Sequence, residues 1–145
     1  MPTDRATKTV EIKAPFADVL ATIRDLESQV EWIPEIKEAE VLEVYEDNDL
    51  PATARFKADA KVATDVCTLA YEHQDDGMSW TLVEGKIQTE QDGRFTLKEL
   101  APDKTSVTYD LTIGHNMPLP GFVRSRVIKG LVDGTLNGLK KRLET

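Results

Sequence analysis

The chain has 145 residues, 40% of them hydrophobic, with 18 basic against 26 acidic side chains and a formal net charge of −8. That is the length of one ordinary domain, which buries roughly two-thirds of its unfolded surface and needs no staples to hold a core. An acidic field of this size repels phosphate backbones and anionic lipid surfaces, so neither nucleic-acid binding nor stable membrane insertion is expected.

Residues 7–13 alternate polar and apolar, as a strand with one buried face does. Ala14-Pro15 ends it, and Pro15 suits the first turn of a helix. Phe16, Val19, Leu20, Ile23 and Leu26 then recur at three and four residues, an amphipathic helix of about three turns. Pro34 prevents a long helix after Val30-Glu31-Trp32-Ile33, so a short second helix or turn is expected there. Residues 38–46 read as a strand and Asp47-Asn48-Asp49 as a turn.

Residues 52–60 alternate strictly. Ala52, Ala54, Phe56, Ala58 and Ala60 share one face, with Thr53, Arg55, Lys57 and Asp59 on the other. A strand that only packs favours Val, Ile or Phe. The alanine face therefore means either a bulky element close against it or open space above it. Residues 62–73 form the next strand, and Asp75-Asp76-Gly77 is hairpin chemistry. Residues 78–84 form another strand, stopping at Gly85. Their patterns leave open which faces of these two strands look inward. Residues 87–100 read as a long strand interrupted at Asp92-Gly93 by a bend or bulge. Residues 105–113 place Val107, Tyr109, Leu111 and Ile113 on one face. After Pro118-Leu119-Pro120-Gly121, apolar residues from Phe122 to Leu143 recur at helical spacing, a helix of about 20–24 residues. Gly130, Gly134 and Gly138 form one stripe on it, at about 1 kcal/mol each relative to alanine. The stripe faces a close neighbour or a ligand.

The order is thus a strand, two short helices, consecutive hairpin-linked strands and one long helix. It predicts an α+β fold in which an antiparallel sheet of about seven strands curls around the C-terminal helix, as a single domain over residues 1–145. The lone Cys67 allows no intramolecular disulfide. No apolar stretch follows the opening Met-Pro-Thr-Asp-Arg, and no run approaches the roughly 18 residues of a membrane span, so a cytoplasmic protein is expected.

Several stretches resemble the START-like superfamily, the polyketide cyclase/dehydrase and lipid-transport group with the helix-grip fold. Val10-Glu11-Ile12-Lys13-Ala14-Pro15-Phe16-Ala17-Asp18-Val19 is similar to its first strand and helix start. Leu26 to Pro34, with Trp32, is similar to its second-helix region. Ser79-Trp80, Glu84-Gly85 and Gly93 resemble its middle strands, and Pro118-Leu119-Pro120-Gly121-Phe122 the start of its gripping helix. The resemblance spans essentially the whole chain and specifies fold far better than function.

It implies a hydrophobic or amphipathic small molecule, such as a lipid, polyketide or isoprenoid-like compound, held between sheet and C-terminal helix. No cofactor and no metal are expected, and nothing specifies an oligomeric state. One alternative is a polyketide aromatase/cyclase or dehydratase working in the same cavity with Tyr, Arg or Glu groups. Another is a protein-interaction module acting through the outer sheet face. The sequence carries no recognisable catalytic motif. The expected cavity wall is Trp32, Ala54, Phe56, Ala58, Leu69, Tyr71, Trp80, Phe95, Tyr109, Phe122, Val127 and Leu131. Tyr71 and Tyr109 stand out because a phenol in an apolar pocket orients a ligand carbonyl. Arg55 is expected to face solvent, Glu84 to be buried or to reach the rim, and His73 and His115 to sit on the surface or at a cavity mouth. All the aromatic residues would serve equally as plain core, and cavity volume separates the two cases.

Overall fold

The computed structural model describes residues 3–59 and 63–144. Seven strands form one antiparallel sheet: β1 (Thr3–Ile12), β2 (Ile36–Val44), β3 (Pro51–Asp59), β4 (Thr64–Gln74), β5 (Gly77–Gly85), β6 (Gln88–Ala101) and β7 (Lys104–His115). Their order across the sheet is β1-β7-β6-β5-β4-β3-β2. Strands two to seven are a meander, each hairpin pairing chain neighbours, and β1 closes the far edge against β7 over ten residue pairs. Ala60 and residue 62, expected on the strands over residues 52–60 and 62–73, lie outside the described residues.

Alternation decides which side is core. Ala54 and Phe56, then Cys67, Leu69 and Tyr71, then Phe95 and Leu97, then Val107, Tyr109 and Leu111 are all buried on the concave face. Register shifts in the β2–β3, β4–β5 and β6–β7 pairings add the local bends that curl the sheet. The concave face is covered by α3 (Gly121–Glu144), whose 24 residues span about 36 Å. Ile128, Val132, Leu136 and Leu139 are its buried stripe. Helix α1 (Phe16–Arg24) buries Val19 and Ile23, and a 3₁₀ turn (Leu26–Ser28) leads into the single-turn α2 (Gln29–Trp32). Among the described residues no helix is long and apolar enough to cross a membrane.

Two expectations change on inspection. The strand over residues 88–101 is not interrupted at Asp92-Gly93, where Asp92 pairs with Thr112 and Gly93 with Leu111. Gly93 is there for space: a Cβ would stand 2.1 Å from Cε2 of Trp80, whose ring lies over it. The glycine stripe of α3 is not one contact but three situations. At Gly138 a Cβ would stand 1.8 Å from the Trp32 carbonyl oxygen, so the helix touches the backbone of α2 rather than the sheet. Gly134 lies beside Glu35, and Gly130 meets nothing within 4 Å.

Candidate ligand cavity

Each of the five middle strands contributes one aromatic ring to the concave face. Phe56, Tyr71, Trp80, Phe95 and Tyr109 form a row whose neighbouring centroids lie 6.4, 5.7, 5.4 and 4.6 Å apart. All are buried. Trp80 is held by an indole N–H donating to Gln91 Oε1 at 2.8 Å. Gln91 in turn donates to Gln88 Oε1 at 2.6 Å.

Between this row and α3 lie two adjoining chambers of about 110 Å³ each. The inner chamber is bounded by the aromatic row, by Ile33, Glu35 and Ile36 after α2, and by Leu131 and Thr135 of α3. The second lies at the loop end, under Met117 and Leu119, and is bounded by Asp4, Asp65, His115, Arg124 and Val127. Ala58, Gln88, Ile113 and Leu131 line both and form the waist between them. Each chamber is smaller than the roughly 300 Å³ of a pocket for a drug-sized ligand, so a longer molecule would occupy both and displace the waist side chains.

The waist has its own support. Asp65, almost fully buried, accepts backbone N–H bonds from Lys86, Ile87 and Gln88 at 3.0, 2.9 and 3.1 Å. This fixes the β5–β6 turn and sets Gln88 in the wall. At the loop end, Arg124 Nε donates to Asp4 Oδ2 at 2.9 Å, tying the first turn of α3 to β1 in a largely buried ion pair.

The polar atoms of the inner chamber are few. Among the described residues the hydroxyls of Tyr71 and Tyr109 have no hydrogen-bond partner. Burial pushes both phenols well up from their ordinary range, with smaller contributions from Tyr109 and Cys67 on Tyr71 and from Glu35 on Tyr109. Both are neutral hydrogen-bond donors at any physiological pH. Glu35 Oε1 is buried without a partner among the described residues. The Cys67 thiol is pushed up to about 12, mainly by burial and next by the Asp65 charge, so it is not a nucleophile at neutral pH.

Residues 3–144 match the family described as polyketide cyclase / dehydrase and lipid transport. The chain belongs to that family. Its fold is that of solved family structures. A START superfamily protein from Mycobacterium smegmatis is 26% identical, with a TM-score of 0.89 over 97% of both chains. The Zhui aromatase/cyclase from Streptomyces sp. R1128 is 14% identical, with a TM-score of 0.81 over 99% of this chain and 94% of that one. A STAR-related lipid transfer protein from Xanthomonas axonopodis is 21% identical, with a TM-score of 0.76 over 97% and 86%. No curated protein matches the sequence.

Of the side chains expected in the family's cavity, the structure gathers Phe56, Ala58, Leu69, Tyr71, Trp80, Phe95, Tyr109 and Leu131 around the inner chamber, and Val127 at the loop end. Three lie elsewhere. Trp32 is buried beneath α3, its indole N–H reaching Ser28 Oγ at 3.4 Å, and Ala54 is buried, but neither borders a chamber. Phe122 is 68% exposed: it lies in the first turn of α3, about a quarter-turn round the helix from the buried stripe of Ile128, Val132, Leu136 and Leu139. Arg55 faces outward and pairs with Glu40, and Glu84 is exposed at the rim. His115 lines the loop-end chamber, its Nδ1 accepting from the Met117 N–H at 3.1 Å.

Sequence reasoning missed Glu35, Gln88, Gln91 and Asp65. Gln88 was hidden by a bulge. Gln91, Gly93 and Phe95 keep one parity, and Gln88 has the other. Between Gln88 and Glu90 the register gains one residue against β7, which turns Gln88 onto the inner face. Glu35 sits in a connection after a proline, where a carboxylate is ordinarily solvated, and no local pattern marks it as inward-facing.

Proposed function

We propose that this protein binds a hydrophobic or amphipathic small molecule in the two chambers between sheet and C-terminal helix. The carrying observation is the chambers themselves. The protein leaves open space beside five buried rings and directs unpartnered phenol hydroxyls at it, where a packed core would have closed on both. The alanine at position 58 supports this, because it borders space on both sides of the waist. Family membership is in keeping with it, since the family takes in lipid transport. Of the groups an enzyme reading would use, Arg55 and Glu84 face solvent, and the Tyr71 and Tyr109 phenols stay protonated, so neither supplies a base. The balance therefore lies with binding. Native mass spectrometry of protein purified from its own host tests the reading. An adduct that survives desalting and is lost on denaturation is the expected result. A bare protein that also binds no neutral apolar probe would overturn it.

A further inference from the structure

We propose that the inner chamber selects neutral ligands bearing a hydroxyl, phenols or alcohols, and rejects carboxylates, with Glu35 accepting the ligand's hydroxyl proton and Tyr109 donating to its oxygen. The inference rests on the ligand-binding reading and narrows it to a chemical class. Glu35 lies just past α2 and lines the chamber together with the five rings of the aromatic row. Its Oε1 is buried and receives no hydrogen bond from any described residue. An acceptor left in that state costs free energy unless something donates to it, and Glu35 is one of the residues that line the chamber. Helix α3 passes close by: a Cβ at Gly134 would come 3.6 Å from Oε1 and 3.7 Å from Oε2, ordinary van der Waals contact. Tyr109 lines the same chamber, and its phenol is the complementary donor. A hydroxyl is the group that satisfies both, giving a proton to one and a lone pair to the other.

The same wall disfavours anions. Its remaining polar members are Gln29, Cys67, Tyr71, Gln88, Gln91 and Thr135, all uncharged, and no Lys, Arg or His lines it among the described residues. Arg124 and His115 belong to the loop-end chamber, where Arg124 is already paired with Asp4. A ligand carboxylate would enter a low-dielectric space beside Glu35 with no cation to meet it.

Calorimetric titration at neutral pH with three probes of one shape tests this: 2-naphthol, 2-naphthoate and the donor-free 2-methylnaphthalene. The wild type should bind 2-naphthol about tenfold more tightly than either of the others. Glu35→Gln keeps the shape and removes the charge, and should bring 2-naphthol and 2-naphthoate to within about threefold of each other. Tyr109→Phe should weaken 2-naphthol and leave 2-methylnaphthalene unchanged. Wild-type protein that binds 2-naphthoate or 2-methylnaphthalene as tightly as 2-naphthol overturns the inference and leaves ligand binding standing. So does a folded Glu35→Gln protein whose preference is unchanged. Failure of all three probes to bind overturns the inference, and together with a bare protein by native mass spectrometry it overturns the binding reading too. The wild-type comparison decides even where a variant fails to fold.

Discussion

Ala58→Phe distinguishes a ligand cavity from a loosely drawn core. Ala58 lies on β3 between Ile36 of β2 and Asp65 of β4, is half-buried, and borders both chambers. A phenyl group there projects into open volume. At about 24 cal/mol per Å³, filling one chamber of about 110 Å³ would stabilise by at most about 2.6 kcal/mol. Strain from an imperfect fit costs about 1–3 kcal/mol, so the two nearly cancel and the net change should stay within about 1 kcal/mol. In a chain of this length that is a Tm shift of about 2–4 °C in either direction. A neutral fluorescent probe such as N-phenyl-1-naphthylamine should bind the wild type and fail to bind the variant. A closed core predicts the opposite pair of results. A variant destabilised by about 3 kcal/mol or more, beside a wild type that binds no apolar probe, would show that the chambers are not open in solution.

The glycines of α3 should separate cleanly. Gly130→Ala meets nothing and should gain up to about 1 kcal/mol of helix stability, whereas Gly138→Ala would drive its Cβ into the Trp32 carbonyl and should lower Tm despite the same gain in propensity. The native Cys67 thiol, at about 12 against an ordinary value of 9.0, should react with alkylating reagents at neutral pH about a thousandfold more slowly than in the denatured chain. His73 donates from Nε2 to the Pro51 carbonyl at 2.8 Å, and its Nδ1 is buried without a partner among the described residues. Burial therefore lowers its affinity for a second proton, the Pro51 bond opposes this in part, and the nearby Arg24 adds a smaller lowering. The unfolded chain then binds the proton more readily, so stability present above the ordinary value of 6.5 should be lost as pH falls through the lower folded value. Chemical denaturation between pH 7 and pH 5 should show this slope, at most about 1.4 kcal/mol per pH unit, and His73→Gln should flatten it.

What the sequence alone determined was whatever depends on local periodicity. Alternation along residues 105–113 placed Val107, Tyr109 and Leu111 inward, and the same rule placed Arg55 outward. The three-to-four spacing from residue 122 onward marked α3 and its buried stripe. Chain-order hairpins then left a curled meander with one long cover as the only arrangement. Other features were decided by elements meeting across the fold. Phe122 fits the helical spacing, yet the register of α3 against the sheet leaves it exposed, because a stripe's edge is fixed by its partner and not by its own period. Gly93 reads as a break in a strand and is instead the floor beneath Trp80, a ring brought there by the neighbouring strand. Gln88 reaches the wall only through a one-residue bulge held by Asp65 across a turn. Glu35 becomes a candidate ligand acceptor only because α3, about 100 residues further on, closes a chamber beside it with Leu131 and Thr135. Periodicity says which face of an element is apolar; which atoms then share a chamber is set by long-range packing, and that information is not local in the chain.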